Sequence, residues 1–374
     1  MIDRRGFLIG GTQAALGLSL LGGHAVRAQE RSPRALFLES RIAEWKQSIP
    51  RWLRDARLPG VSLAIIDAGK VLWEGPFGVK DAGTGAPVRR DTVFAACSNT
   101  KPVFAYAVVK LCEKGVMDLD TPLTKYTSRR FVEGDPRLDV ITARHVLTHT
   151  TGFPNWREPG KPLPIQFTPG TERQYSGEGF RYLQSVVQEV TRQPFAEFMR
   201  VNVLEPFRMT SSRVVSDDKA YARRLARRHD KDGMPIIEPP QTETAAEKAE
   251  GLATYGAAAG LHTTPGDYAK FLIEIVDPKP ADAFRLNERS RRDYLRPQFK
   301  RDEITSSGLG WVIGQHGALT FFTHAGSASG WQCESFASVG RKAGIVIMTN
   351  GDSFLPFREQ LKLDLDFFTQ LFAV

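Results

Sequence analysis

Apolar runs of strand length lie near both ends of the chain. Residues 61–66 (VSLAII) are followed by a turn at 67–70 and a second apolar run from Val71, which predicts a hairpin after an N-terminal helix over residues 36–53. Four more strands are predicted toward the C-terminus, over residues 309–313, 320–323, 332–338 and 344–348. A closing helix should follow, because Leu361, Leu365, Phe368 and Phe372 recur at helical spacing.

Between these ends the pattern changes to helices and irregular connections. Phe104, Val108 and Leu111 mark one face of a helix that Gly115 should end. A second helix carries apolar residues over 180–190 and should end near Pro194. We therefore predict an α/β (α+β) fold in which one antiparallel sheet is built from both chain ends and flanked by helices, with an inserted, mainly helical lobe.

The lobes follow from the same pattern. The sheet lobe should comprise about residues 35–92 and 255–374, and the helical lobe about residues 93–254, with an active site between them. The chain has 374 residues, of which 41% are hydrophobic and 25% charged, so it is long enough for two lobes around one site.

The first 28 residues have the features of an export signal. The run Arg4-Arg5-Gly6-Phe7-Leu8 precedes a weakly apolar stretch over 9–23, and Val26-Arg27-Ala28 supplies small residues for cleavage. Twin arginines followed by Phe-Leu resemble a bacterial Tat signal. We expect residues 29–374 to be the mature protein, periplasmic or secreted and without a stable membrane span, since no other run approaches the roughly 20 apolar residues that a span requires.

Charge and cysteine content narrow the functional classes. The formal charge of +8 falls to about +6 when the signal, with three arginines and one aspartate, is removed. No run of Lys and Arg carries the interleaved aromatic residues of a nucleic-acid platform, so no nucleic-acid partner is predicted. Three cysteines in a chain of this length do not make a disulfide framework, and Cys97 is expected to be buried rather than to act as a thiol nucleophile. No feature of the sequence predicts an oligomeric state.

The main chemical motif is Ser98-Asn99-Thr100-Lys101, an S-x-x-K at the start of an apolar helix. Ser98 and Lys101 lie about one turn apart on one face, where an unprotonated amine could take the hydroxyl proton. A serine three residues before a lysine is common by chance, and a helix cap alone would explain Ser98. Two later segments follow in a fixed order along the chain, Tyr175-Ser176-Gly177 and then His324-Ala325-Gly326. This order argues against a chance match or a simple helix cap at Ser98.

With these three motifs the chain resembles the serine beta-lactamase and penicillin-binding protein family, in particular its class C-like branch, which includes D,D-peptidases and esterases. That family has S-x-x-K, then Y-x-N or a variant, then K-T-G or H-x-G on a strand edge. Further segments look like landmarks of the same family, and the resemblance covers roughly residues 35–372. They are Pro59-Gly60-Val61-Ser62, residues 146–152 (VLTHTTG), residues 205–209 (EPFRM) and residues 259–264 (AGLHTT).

The resemblance implies a role for each matching residue. Ser98 would attack a carbonyl and become acylated, Lys101 and Tyr175 would share the general-base role, and Tyr175 would activate water for deacylation. A phenol with a pKa near 10 can do this only if nearby positive charge lowers it, and Lys101 is the expected source. The backbone N–H groups of Ser98 and Ser327 would form the oxyanion hole, and Gly326 would let the substrate approach the strand closely.

Two motif positions depart from the family pattern. His324 stands where lysine is frequent, and would polarise the site or contact an acidic substrate group less strongly at neutral pH. Gly177 replaces the asparagine of Y-x-N, whose amide in the family helps to bind a substrate amide and to orient the lysine. Its loss argues against classical beta-lactam hydrolysis and leaves esterase or peptidase activity open.

The predicted function is an exported, cofactor-free serine hydrolase that forms an acyl-enzyme. Its substrate would be a small-molecule or peptidoglycan-like acyl compound, with an ester, an amide, a D-amino-acid peptide and a beta-lactam all left open. A catalytically silent envelope or peptidoglycan-binding protein of the same fold is the alternative. His145 and His149 have a spacing that can chelate a metal, but without H-E-x-x-H or an acidic third ligand no metal site is predicted.

Overall fold

The computed structural model of the protein describes residues 32–214, 219–237 and 256–372, so the predicted export signal lies outside the described residues. Its strands are β1 (Gly60–Asp67), β2 (Lys70–Asp81), β3 (Ala86–Pro87), β4 (Phe94–Ala95), β5 (Arg213–Val214), β6 (Leu261–Thr263), β7 (Phe299–Lys300), β8 (Thr305–Ser307), β9 (Val312–His316), β10 (Leu319–Ala328), β11 (Trp331–Ser338) and β12 (Ala343–Thr349).

The longer helical segments alternate with short turns of 3-10 helix. The α-helices are α1 (Pro33–Asp55), α2 (Thr100–Glu113), α3 (Ala143–Leu147), α4 (Gly177–Thr191), α5 (Phe195–Met199), α6 (Lys219–Ala222), α7 (Gly256–Ala259), α8 (Pro265–Val276), α9 (Glu288–Leu295), α10 (Phe354–Leu361) and α11 (Leu365–Leu371). A single π-helical stretch, Arg200–Leu204, follows α5.

One antiparallel sheet joins the two ends of the chain, as predicted. Its strand order is β3-β2-β1-β12-β11-β10-β9-β8-β7. The N-terminal strand β1 pairs with β2 on one side and with the C-terminal strand β12 on the other, with Val61 opposite Thr349 and Ile66 opposite Gly344. The predicted α/β fold, with a large antiparallel sheet flanked by helices, is confirmed.

Both faces of the central strands are covered by helices. Along β1, Leu63 and Ile65 pack into the core formed with α1 and the C-terminal helices, while Ala64 and Ile66 pack into the core shared with α8 and the helical lobe. Side chains of a strand point alternately to its two faces. A strand buried on both faces is therefore apolar at most positions, which is why the sequence predicts β1 and β12 so clearly.

The predicted strand over residues 309–313 is wrong at its start, because β9 begins at Val312. The amide of Gly310 donates to the carbonyl of Leu147, and the amide of Gly308 donates to Trp311, so these groups pair outside the sheet. Trp311 is buried among aromatic rings and stacks on Phe271 at 6.3 Å between ring centroids. The apolar character of this segment comes from core packing rather than from a strand.

The closing helix is two helices rather than one. α10 ends at Leu361, and Lys362 adopts a left-handed conformation with φ of 50°. Asp364 then caps α11 by accepting a hydrogen bond from the amide of Phe367 at 2.9 Å. Because Asp364 starts α11 shortly after α10 ends at Leu361, the apolar residues keep a helical spacing although the helix is interrupted.

A small second sheet, with the order β4-β6-β5, was not predicted. Each of these strands has only two or three residues, which is too short for a periodic pattern. It lies beside the S-x-x-K motif, because the amide of Ala96 donates to the carbonyl of Leu261 at 2.8 Å. Within the described ranges, no helix combines the length and the apolar character needed to cross a membrane.

Candidate active site

Ser98 lies in a tight turn that leads into α2. Cys97 has a positive φ of 48°, and residues 97–99 form one turn of 3-10 helix directly before Thr100. The hydroxyl of Thr100 donates to the carbonyl of Cys97 at 2.7 Å and accepts from the amide of Leu261 at 3.0 Å. The turn is therefore fixed to β6, and it presents Ser98 at the N-terminal end of a buried helix, as the sequence predicted.

Asn99 ties the same turn to the large sheet. Its side-chain amide donates to the carbonyl of Cys333 at 3.2 Å, and its side-chain oxygen accepts from the hydroxyl of Ser335 at 2.7 Å. Both partners belong to β11. Asn99 was not predicted as a functional residue; it positions the turn by satisfying buried polar groups that only a folded sheet brings to it.

Lys101 is fully buried beside Ser98. Its Nζ lies 3.2 Å from Ser98 Oγ and donates to the carbonyl of Ala258 at 2.7 Å. Burial penalises the charged ammonium and lowers the pKa of Lys101 from 10.5 to about 7. A large fraction of the side chain is therefore a neutral amine at neutral pH, with its lone pair available to the serine hydroxyl.

The carbonyl that holds Lys101 belongs to α7, a helix of four residues. The amide of Ala257 donates to the side-chain oxygen of Gln184 on α4 at 2.6 Å. Gln184 is buried and thereby fixes α7 against the helical lobe. This link from α4 through α7 to Lys101 could not be predicted, since the two ends of the Lys101–Ala258 contact are 157 residues apart.

Tyr175 lies over the amine of Lys101 and next to Ser98. Lys101 Nζ is 4.7 Å from the centre of the phenol ring, and the phenol shares a hydrogen bond with Ser98. Burial raises the pKa of Tyr175 to about 12, and the hydrogen bond with Ser98 and the charge of Arg173 offset this only in part. The expectation that Lys101 would lower the pKa of the phenol is wrong: burial dominates and raises the pKa of Tyr175, and the same burial lowers the pKa of Lys101 to about 7.

His149 fixes the segment that carries Tyr175. Its Nδ1 accepts from the amide of Ser176 at 3.0 Å, and its carbonyl accepts from the amide of Gln174 at 2.9 Å. The two rings lie 4.3 Å apart between centroids. Burial, followed by the positive charge of Lys101, lowers the pKa of His149 well below its usual value, so the ring is neutral and can accept this hydrogen bond.

The two histidines at metal-chelating spacing have separate structural tasks. His145 Nδ1 accepts from the amide of Thr142 in a capping box at the start of α3, whereas His149 Nδ1 is used by Ser176. In the part of the chain that the structure describes, no three His, Cys, Asp or Glu side chains come together as a metal site would require.

His324 is the third buried basic group at the site. Burial first, then the charges of Lys101, Arg301 and Arg173, lower the pKa of His324 to about 3. Its Nδ1 lies 2.7 Å from the carbonyl of Ala325, which can only accept, so Nδ1 carries the proton and Nε2 is left as an acceptor. A neutral imidazole of this kind cannot form an ion pair with an acidic substrate group at neutral pH.

Gly326 brings β10 against the turn that carries Ser98. A Cβ atom at this position would lie 2.6 Å from the carbonyl oxygen of Ala96 and 2.8 Å from the amide nitrogen of Ser98. Gly326 is thus required by contact with the protein's own backbone, whereas the sequence had suggested contact with substrate. β9 pairs with β10 only as far as Thr323, so Ser327, one residue after Gly326, lies on a strand segment that β9 leaves uncovered.

Cys97 is a packing residue. It is buried, and burial raises the pKa of its thiol to about 12, so the thiolate form is negligible at neutral pH. Cys97, Cys112 and Cys333 are all free thiols, in keeping with the absence of a predicted disulfide framework. Of the two neighbouring side chains at the turn, only Ser98 has an adjacent base.

A family model described as Beta-lactamase matches residues 39–366, most of the chain. The chain belongs to the beta-lactamase family. It is accordingly an enzyme, a serine hydrolase.

Proteins with similar sequences carry different names. Esterase EstB of Burkholderia gladioli is 28% identical over 307 residues, covering 71% of this chain and 77% of that protein. Protein flp of Staphylococcus aureus strain MRSA252 is 19% identical and covers 80% of this chain, but this chain covers only 61% of that protein.

Solved structures share the fold at lower identity. The D-alanine carboxypeptidase AmpC from Burkholderia cenocepacia has a TM-score of 0.71 and 21% identity, with 87% of this chain and 97% of that chain covered. An octameric penicillin-binding protein homologue from Pyrococcus abyssi also has a TM-score of 0.71 and 21% identity, with 84% and 74% covered. These likenesses establish the beta-lactamase fold and leave the substrate open.

Gly326→Ala is expected to impair this beta-lactamase-family site through the backbone. The added methyl group meets a carbonyl oxygen and an amide nitrogen, neither of which can move without shifting the turn of Ser98. We expect a loss of about 1–3 kcal/mol in the free energy of unfolding and a fall in kcat/KM for an ester. Chemical denaturation and ester hydrolysis measure the two effects. Gly340→Ala is the matched control, because a Cβ at Gly340 meets no atom within 4 Å; equal behaviour of the two variants would contradict the close approach.

Proposed function

We propose that the protein is an exported esterase-type serine hydrolase in which Ser98 is the nucleophile and Lys101 is the base that activates it. The observation that carries this proposal is the position of a buried amine, with its pKa lowered to about 7, at 3.2 Å from the serine oxygen. A hydroxyl beside such an amine at a helix N-terminus is activated for attack on a carbonyl.

Acylation follows from this arrangement. Ser98 Oγ forms a bond to the ester carbonyl carbon, and the hydroxyl proton passes to Lys101 Nζ. The N–H groups of Ser98 and Ser327 donate to the oxyanion. As the intermediate collapses, the bond to the leaving alkoxide breaks and the alkoxide takes a proton from Lys101 through the phenol of Tyr175.

Deacylation uses the same groups in the reverse direction. Water gives its proton to Lys101 by way of Tyr175 and attacks the acyl carbon, and Ser98 leaves with a proton returned from Lys101. Because the pKa of Tyr175 is about 12, the phenol acts as a neutral relay that gives and receives protons, and no standing phenolate is needed. The neutral His324 contributes an acceptor at Nε2 and no charge.

Three features favour an ester over an amide or a beta-lactam. The motif Tyr175-Ser176-Gly177 has no side-chain amide to hold a substrate amide. His324 carries no charge with which to bind a substrate carboxylate. A relative that shares 28% of its residues over most of both chains is named an esterase.

Intact-mass analysis of residues 29–374 tests the mechanism and the substrate class together. The protein is mixed with a fluorophosphonate, a p-nitrophenyl ester, a penicillin and a D-alanyl-D-alanine peptide, with Ser98→Ala in parallel. We expect a fluorophosphonate adduct and ester turnover that both require Ser98. Turnover of the penicillin or the peptide above that of the ester would overturn the esterase assignment, and an adduct that persists in Ser98→Ala would overturn the nucleophile.

Export is the second part of the proposal and has its own test. Replacing Arg4 and Arg5 together by lysine should retain the precursor inside the cell, since the Tat pathway reads the arginine pair. Cell fractionation followed by immunoblotting measures the result, with Arg51→Lys as a control because it makes the same change on the exposed side of α1. Unchanged export of the twin-lysine variant would show that another route is used.

A further inference from the structure

Trp156 covers the position that follows Tyr175-Ser176. A Cβ atom at Gly177 would lie 2.4, 2.6 and 2.8 Å from three carbon atoms of the indole ring of Trp156. No Cβ tolerates such distances, so the ring occupies the space into which a side chain at 177 would project. Trp156 is 38% exposed, so this large apolar residue is partly accessible to solvent.

The loop that carries Trp156 is held in place by its neighbours on both sides. The carbonyl of Asn155 accepts from the amides of Gly177 and Glu178, each at 3.0 Å, and its side-chain oxygen accepts from Gly177 at 2.9 Å. The hydroxyl of Ser176 donates to the carbonyl of Pro154 at 2.9 Å. The position of the ring is thus set by the start of α4.

An ion pair completes this attachment. Arg157 donates through Nε and Nη2 to Glu178 at 3.0 and 2.8 Å, and the carboxylate of Glu178 is only 1% exposed. Arg181 donates to the same carboxylate at 3.1 Å. A buried, doubly paired carboxylate directly after Gly177 fixes the backbone on each side of Trp156, so the ring is preorganised in the absence of any ligand.

The position of the Trp156 ring relative to Ser98 follows from its contact with Gly177, which is close to Tyr175 in the chain. Gly177 is two residues after Tyr175, and Tyr175 shares a hydrogen bond with Ser98. The partly exposed indole over Gly177 therefore lies beside the segment that carries the phenol. It offers an apolar face for packing and for edge or face contact with another ring, and position 177 has no side-chain amide.

We infer that Trp156 is a specificity-determining residue that selects esters with an apolar, preferably aromatic, group next to the scissile carbonyl. This inference rests on the proposed function and names its substrate class. Trp156 and Gly177 act as a pair, because the ring can lie where it does only when residue 177 has no side chain.

The test compares p-nitrophenyl phenylacetate with p-nitrophenyl acetate, and benzyl acetate with methyl acetate, so that a ring on either side of the ester is examined. Trp156→Ala should lower kcat/KM for the aromatic member of at least one pair by about 10-fold or more, and that of its small partner by less than about 3-fold. Trp156→Phe should retain most of the preference. Leu355→Ala, which removes an apolar side chain that is 69% exposed on α10, is the control and should change neither pair.

Gly177→Asn tests the pairing of the two residues. Alone it must displace the ring, so it should lower both the melting temperature and the aromatic preference. In the double variant Gly177→Asn with Trp156→Ala, the asparagine should lower the melting temperature much less than it does alone. Such non-additivity is expected in a double-mutant cycle when the two residues are in contact. A wild-type aromatic preference and stability in Gly177→Asn would contradict the inference, as would unchanged selectivity in Trp156→Ala.

Labelling separates this inference from the proposed function. Wild type, Trp156→Ala and Gly177→Asn are each treated with a small alkyl fluorophosphonate, which needs Ser98 and its base but no aromatic contact. If wild type gives no adduct, the proposed function fails. If all three give the adduct and show the same ester selectivity, the proposed function stands and the role of Trp156 is overturned.

Discussion

Ser98→Ala is expected to reduce kcat for ester hydrolysis by about 10⁴- to 10⁶-fold, the largest effect of any single substitution in this chain. In the proposed mechanism the lost oxygen forms the acyl-enzyme, and Cys97 beside it cannot replace that oxygen because burial raises the pKa of its thiol to about 12. The residual rate measures what the oxyanion hole and substrate binding contribute without covalent catalysis. Steady-state kinetics with a p-nitrophenyl ester give the ratio.

The fold of Ser98→Ala should be intact, since the lost oxygen has its contacts with Lys101 and Tyr175 and no backbone partner among the hydrogen bonds of the described residues. The melting temperature should stay within a few degrees of that of wild type. Ser329→Ala, an exposed serine just beyond β10, is the control for the chemistry and should keep full activity. Turnover of Ser98→Ala within tenfold of wild type would show that another group is the nucleophile.

The parts of the site that the sequence predicts are those that depend on short stretches of chain. Ser98 and Lys101 are three residues apart at the start of a helix, and that spacing alone places Nζ within reach of Oγ. The central strands are equally clear, because β1 and β12 are buried on both faces and mostly apolar. Here local pattern and tertiary structure require the same residues.

The pKa values of the ionisable groups depend on burial, which the motifs do not show. Lys101 was expected both to offer an unprotonated amine to Ser98 and to lower the pKa of Tyr175 by its charge. Burial lowers the pKa of Lys101 to about 7, which fits the first expectation, and raises that of Tyr175 to about 12, which contradicts the second. His324 was expected to be a weaker lysine substitute, and burial with three neighbouring cations makes it neutral. Desolvation is a property of the folded interior and has no signature in a motif.

The packing roles of the two motif glycines also could not be predicted from the sequence. Gly326 and Gly177 stand in motifs, but the atoms that exclude a side chain there belong to Ala96 and Ser98 in one case and to Trp156 in the other. The segment at 309–311 was mistaken for a strand because burial in a core of aromatic rings produces the same apolar letters. In each case the deciding contact joins segments that are far apart along the chain.

Lys101→Met is expected to lower kcat/KM by about 10³- to 10⁵-fold while leaving the fold intact. The thioether has nearly the length of the lysine side chain and no proton affinity, so Ser98 loses its base but the buried space stays filled. The carbonyl of Ala258 loses its hydrogen-bond donor, which lowers the free energy of unfolding. Removing the cost of burying an amine raises it, so the two effects partly cancel. Near-wild-type activity in this variant would show that Tyr175 or another group is the base.

The pH dependence distinguishes these two bases. If Lys101 is the base, its deprotonated form is active, so kcat/KM of wild type should rise about tenfold per pH unit below pH 7 and level off above it. If the phenolate of Tyr175 were the base, the rise would continue far above pH 7, toward its pKa of about 12. Stability gives an independent readout: between pH 7 and 9 the unfolded chain binds a proton at Lys101 that the folded protein partly lacks, so the free energy of unfolding should rise with pH more in wild type than in Lys101→Met. Lys101→Met should lack both the kinetic rise at pH 7 and this contribution to stability, because both come from the same buried amine.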